Sequence, residues 1–224
     1  MTNKQAIQNL DDIITRIEFT RLQVNSHKIV QLVAISKYST ADEIKKLYES
    51  GQRAFGENKV QDLKIKQEEL SDLPIAWHFV GSLQKNKINN LIDLNPVLMH
   101  SLDSLELAED LDKKLKAKNK KMNCLLQVNS AYEDTKSGID PENANNVYNE
   151  IKEKYSNINL KGIMSIGAHS EDKNDIIKSF QTTKNIYDNC NDASICSMGM
   201  SGDFETAILN GSSMVRVGSA LFNK

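Results

Sequence analysis

The chain opens with apolar residues at helical spacing. Ile7, Leu10, Ile14 and Ile17 recur with charged residues between them, so 3–24 reads as an amphipathic helix. A different rhythm then begins. Val30-Gln31-Leu32-Val33-Ala34-Ile35-Ser36 is a short, nearly continuous apolar run, the pattern of a strand covered on both faces. A helical pattern follows from Ala41 and stops at Gly51. The same unit recurs, with further strands predicted at 53–56, 76–80, 97–101, 124–128, 160–166, 195–198 and 214–217, and helices at 60–70, 86–92, 105–117, 141–155, 175–190 and 204–210. In the helix at 141–155, Asp140 is placed to cap and Pro141 sits in the first turn, while Ala144, Val147, Tyr148, Ile151 and Tyr155 form one stripe.

Eight strands, each but the last followed by a helix, predict an α/β fold: a (β/α)8 TIM-type barrel with an extra N-terminal helix. With only 3 prolines and 10 glycines and no linker-like stretch, 1–224 is expected to be a single domain. Residues 1–28 supply the leading helix and its connection, and 29–222 the barrel. At 224 residues the loops should be short, and the leading helix is expected to cover the barrel's bottom or side.

Composition narrows the classes. With 39% hydrophobic and 26% charged residues, disordered and fibrous chains are excluded. The 28 basic residues against 30 acidic ones lack the positive excess of a nucleic-acid binder. Cys124, Cys190 and Cys196 fall in no metal-ligand spacing. Charges at Lys4, Asp11, Asp12, Arg16 and Glu18 interrupt any signal-peptide core, and no stretch reaches membrane-spanning length. A cytoplasmic protein is expected, with no membrane and no nucleic-acid partner. Lys113, Lys114, Lys116, Lys118, Lys120 and Lys121 read as a solvated helix end. His78 reads as a hydrogen-bonded barrel residue, and His27 and His100 take no role.

In such barrels the chemistry lies at the C-terminal ends of the strands. Met198-Gly199-Met200-Ser201-Gly202-Asp203 follows strand seven, and Arg216-Val217-Gly218-Ser219 ends strand eight. Loops after these strands often bind phosphate, and Ser201, Gly202, Gly218 and Ser219 offer hydroxyls and close backbone approach. Spacing alone favours turn glycines and a helix cap. Arg216 lies two residues before Gly218 and so on the same face, where it either forms a structural ion pair or donates to a ring nitrogen of a cofactor. Lys37 ends strand one, which neighbours strand eight in a closed barrel. Alone it would be a solvated lysine; beside Arg216 and desolvated, it is expected to be a neutral amine able to form an imine with an aldehyde. The combination of Lys37, Ser201, Arg216 and Gly218 points to pyridoxal phosphate.

Longer motifs carry a family resemblance. Val33-Ala34-Ile35-Ser36-Lys37, Gly56-Glu57-Asn58-Lys59-Val60-Gln61, Trp77-His78-Phe79-Val80-Gly81-Ser82-Leu83-Gln84-Lys85-Asn86-Lys87, Ser197-Met198-Gly199-Met200-Ser201-Gly202-Asp203 and Ser213-Met214-Val215-Arg216-Val217-Gly218-Ser219-Ala220-Leu221-Phe222 closely resemble the pyridoxal phosphate homeostasis protein family. The resemblance implies a barrel like that of alanine racemase, with pyridoxal 5'-phosphate held as a Schiff base on Lys37. It further implies phosphate contacts from Ser201, Gly218 and Ser219, a pyridine-nitrogen contact from Arg216, and Asn58 in the cofactor's neighbourhood. Asn129, Glu133, Lys136 and Gly138 match another family stretch without a defined role. Tyr38-Ser39-Thr40 and Ile166-Gly167-Ala168-His169 depart from the family pattern at the rim.

The resemblance implies intracellular buffering or delivery of the cofactor, without an established turnover, by a monomer that passes it to recipient apo-enzymes. A low-activity amino-acid racemase or transaminase is the alternative, with Tyr38, Tyr132 or His169 as the missing acid. Two arguments weigh against it. A racemase of this barrel type takes its second base from outside the barrel, and no further domain is expected here. An arginine at the ring nitrogen also favours an unprotonated pyridine, a weaker electron sink. No metal is expected.

Overall fold

The computed structural model describes residues 1–133 and 137–222. Eight parallel strands close into a barrel in sequence order: β1 (Gln31–Ile35), β2 (Ala54–Glu57), β3 (Ala76–Phe79), β4 (Leu98–Leu102), β5 (Met122–Val128), β6 (Ile158–Ser165), β7 (Ile195–Ser197) and β8 (Met214–Val217). The ring is sealed where β1 pairs with β8, with Val33 opposite Arg216 and Ala34 opposite Val217. The predicted barrel and its leading helix are therefore observed.

Helices α1 (Asn3–Val24), α2 (Ala41–Glu49), α3 (Val60–Glu69), α4 (Ile88–Leu94), α5 (Leu105–Ala117), α6 (Ala144–Lys154), α7 (Lys173–Asp188), α8 (Phe204–Leu209) and α9 (Ser219–Phe222) cover the barrel. Two of them start later than the sequence suggested. Asp140 and Pro141 form a turn rather than a helix start: the Asn143 N–H donates to the Asp140 carbonyl at 3.0 Å, and α6 begins at Ala144. Likewise 85–87 is a short 3-10 turn before α4. After β8 the sequence pattern showed no helix, yet the four-residue α9 forms there.

Strand alternation divides the apolar residues into two layers. Ala34, Phe55, Trp77, Phe79, Met99, Val215 and Val217 pack outward against the helices. Val33, Leu98, Leu125, Met164 and Met214 fill the interior. Further along the strands, the same inward parity brings in His78, His100, Gln127, Ser197 and Arg216, so the interior becomes polar toward the C-terminal face.

The leading helix lies on the barrel's side, packed on α2, α8 and α9. It buries Ala6, Leu10, Ile13 and Ile17, each large side chain contributing roughly 1.5–3 kcal/mol. Its polar edge is tied down by an Arg16–Glu205 ion pair at 2.6 Å and by Asn9 Nδ2 donating to the Leu221 carbonyl at 3.0 Å. Because α8 and α9 are short, α1 supplies the cover that the β8–β1 seam otherwise lacks.

Candidate functional site

At the C-terminal end of that seam lies a cavity of roughly 540 Å³ whose lining includes Lys37, Ser201, Gly202, Arg216, Gly218 and Ser219. The β1–β8 pairing delivers Lys37 from one side and Gly218 from the other, and the loop after β7 brings Ser201 over the top. Ser201 Oγ accepts hydrogen bonds from the Gly218 N–H at 3.2 Å and the Ala220 N–H at 3.5 Å, cross-linking the two loops. A Cβ on Gly202 would meet nothing within 4 Å, so backbone here opens directly onto the cavity, whereas one on Gly218 would come within 3.1 Å of the Ile35 carbonyl oxygen.

Arg216 is buried, with only 5% of its surface exposed. Its Nη1 donates to Ser197 Oγ at 2.6 Å and its Nη2 to the Ser165 carbonyl at 2.8 Å. These are neutral acceptors. Burial pushes the guanidinium down to about 10 against an opposing pull from Asp203, which leaves it cationic at neutral pH. Beside it, desolvation lowers His78 to about 4, and burial together with the charges of His78 and Arg216 drives His100 well below its ordinary value. The two rings meet at 2.9 Å between His78 Nδ1 and His100 Nε2. His78 is thus the hydrogen-bonded barrel residue the sequence suggested, and His100, which had attracted no role, is its partner.

One expectation needs correction, and one residue falls outside the cavity. Lys37 is not desolvated: β1 ends at Ile35, and Lys37 lies beyond it in an exposed turn, its Nζ 5.0 Å from the ring centroid of Tyr38. Asn58 does not line the cavity; its backbone carbonyl instead sits so close beneath Gly81 that a Cβ there would lie 1.9 Å away.

The stretch after β5 has a structural account. Asn129 Nδ2 donates to the Glu133 carbonyl at 2.9 Å and its Oδ1 accepts from the Glu133 N–H at 3.3 Å. Glu133 Oε1 in turn accepts from the His169 N–H at 2.9 Å, joining this loop to the one after β6. Gly138 holds a φ of +139° against the Asn129 backbone. Lys136 lies outside the described residues. Of the three residues considered as acids, Tyr38 lines the cavity, while Tyr132 and His169 line a neighbouring cleft. Lys118 pairs with Asp93 of α4 at 2.5 Å, a surface pair with both partners partly exposed. No His, Cys, Asp and Glu grouping suited to a metal ion occurs among the described residues, and no described helix is long and apolar enough to cross a membrane.

A closed parallel barrel with a lysine after its first strand and a serine and glycine cradle after its last two defines a recognisable class. Residues 9–224 match the family model described as alanine racemase, N-terminal domain. The fold is shared by alanine racemase of Bartonella henselae, at a TM-score of 0.76 and 15% identity over 100% of this chain and 60% of that one. More specifically, the chain belongs to the pyridoxal phosphate homeostasis protein family. It is 51% identical to the pyridoxal phosphate homeostasis protein of Helicobacter pylori strain J99 over 217 residues, 97% of this chain and 98% of that protein. PipY of Synechococcus elongatus PCC7942, whose structure was solved with PLP bound, is 30% identical at a TM-score of 0.78, covering 92% of this chain and all of that one.

Proposed function

We propose that this chain binds pyridoxal 5'-phosphate in the seam cavity and acts in cofactor homeostasis, buffering or delivering it inside the cytoplasm as a single-domain monomer. The observation that carries the reading is the joint lining of one cavity by Lys37, Ser201, Arg216, Gly218 and Ser219. The donor set suits the group. Ser201 and Ser219 offer hydroxyls and Gly202 open backbone for a phosphate, with Gly218 adding no side chain beside them; Arg216 offers a fixed cation for a ring nitrogen; the Lys37 amine would hold the aldehyde carbon.

Bound pyridoxal phosphate supplies an electrophilic aldehyde and a ring able to accept electrons. The protein's own groups favour holding it over using it. Arg216 remains cationic and is already committed to Ser165 and Ser197, so it donates a hydrogen bond but does not protonate a ring. The exposed turn leaves Lys37 open to water and to exchange with other amines, which suits hand-over to recipient apo-enzymes.

The test is an absorption spectrum with and without added pyridoxal phosphate, followed by borohydride reduction and peptide mass spectrometry. A visible band and a single adduct on Lys37 are expected. Adducts spread over surface lysines, or none, would overturn the assignment.

A further inference from the structure

Lys66 stands where α3 should carry an apolar residue. The helix turns Val60, Leu63 and Lys66 toward the barrel, and all three are buried. Lys66 Nζ donates to Glu57 Oε1 at 2.7 Å and to the Ser36 carbonyl oxygen at 2.7 Å. Glu57, at the end of β2, is fully buried; its Oε1 also accepts from Ser36 Oγ at 2.5 Å, while its Oε2 has no hydrogen-bond partner. Burying such a pair costs desolvation, and an apolar pair of similar size would pack with less cost. Net stability is therefore a weak account of it.

What the pair grips is the peptide next to Lys37. The Ser36 carbonyl also accepts from the Ser39 N–H at 2.9 Å, closing a turn with Lys37 and Tyr38 at its two central positions. The Lys37 side chain itself is exposed. Where its amine stands over the cavity is thus set by the turn, and the turn's closing carbonyl is held by a buried ammonium.

We propose that Lys66 and Glu57 are positioning residues for the cofactor site: they form a buried ionic clamp on Ser36 that fixes the Lys37 turn for reaction with an aldehyde. This rests on the reading that pyridoxal phosphate attaches at Lys37. Neither residue lines the cavity, so the clamp acts on the amine and not on the phosphate or ring contacts.

The two kinds of contact can be separated with two ligands. Pyridoxal 5'-phosphate engages the amine, whereas pyridoxine 5'-phosphate carries an alcohol in place of the aldehyde and relies on ring and phosphate contacts alone. Affinities for both are measured on the wild type, Lys66→Met, and Lys66→Met/Glu57→Gln, which strands no buried carboxylate. The expected result is a loss of about tenfold or more for pyridoxal phosphate, the scale of one charge-assisted hydrogen bond, with pyridoxine phosphate changed less than about twofold. Equal losses for both ligands would mean a merely structural pair, and unchanged binding of both would remove the clamp. A wild type that forms no adduct at Lys37 would instead overturn the functional reading itself. Hydrogen exchange on the wild type needs no variant: Ser39 N–H should be protected, and exchange at open-loop rates would refute the fixed turn.

Discussion

The buried histidine pair makes stability depend steeply on mild acid. His78 is held down to about 4 and His100 well below its ordinary value, chiefly by burial, while in the unfolded chain each titrates near 6.5. Between about pH 6.5 and the folded values, the unfolded chain therefore binds two protons that the folded chain refuses. Their contribution is complete above pH 6.5 and is lost as pH falls. For His78 alone the loss comes to about 2 kcal/mol between pH 7 and 5, and His100 adds a loss of the same sign. That is a large share of a typical stability of about 5–15 kcal/mol. Urea unfolding at pH 7, 6 and 5 measures the slope. His78→Gln/His100→Gln should flatten it, while the opposing contribution of Asp103, which burial raises, is common to both chains. Equal losses in wild type and variant between pH 7 and 5 would refute the reasoning, because the proton uptake would then lie elsewhere.

Two further outcomes follow from packing. Gly162 has φ +146°, and a Cβ there would lie 1.9 Å from the Ile195 carbonyl oxygen across the β6–β7 ladder; Gly162→Ala should cost more than about 4 kcal/mol or abolish folding, and a urea midpoint near that of the wild type would contradict it. The leading helix should be held by burial more than by charge. Ile13→Ala is expected to cost about 2–5 kcal/mol, against no more than about 1 kcal/mol for Arg16→Ala, whose pair with Glu205 is partly exposed; the reverse ranking in thermal melts would show that α1 is docked by its ion pair.

The strand order and barrel class were legible because buried parallel strands read as apolar runs, as at Val33 to Ile35, and the intervening helices carry a 3.6-residue stripe. Boundaries were less so. The Asp140-Pro141 pair is a good helix start on local chemistry, but it was spent on a turn, and α9 is too short to leave a periodic trace. The cavity residues Lys37, Ser201, Arg216 and Gly218 were placed together correctly because barrel closure makes the first and last strands neighbours. Lys37 was misjudged only in its burial, since the apolar run of β1 gave no sign that the strand stops two residues earlier. Lys66 was illegible for the opposite reason: a lysine in a helical stripe normally reaches for solvent, and only the tertiary position of Glu57 and Ser36 reveals why this one does not. His100 was hidden in the same way, as its partner lies one strand away.

The β1–β8 seam also fixes when the site can exist. Lys37 follows the first strand, and Ser201 and Gly218 follow the last two, so nearly the whole chain must be synthesised before the two halves meet. Closing so long a loop makes this contact entropically late in folding. A nascent chain on the ribosome therefore presents Lys37 long before it presents Ser201 or Gly218. On the proposed reading, cofactor capture is a property of the finished barrel, with occupancy reporting on completed molecules and not on intermediates.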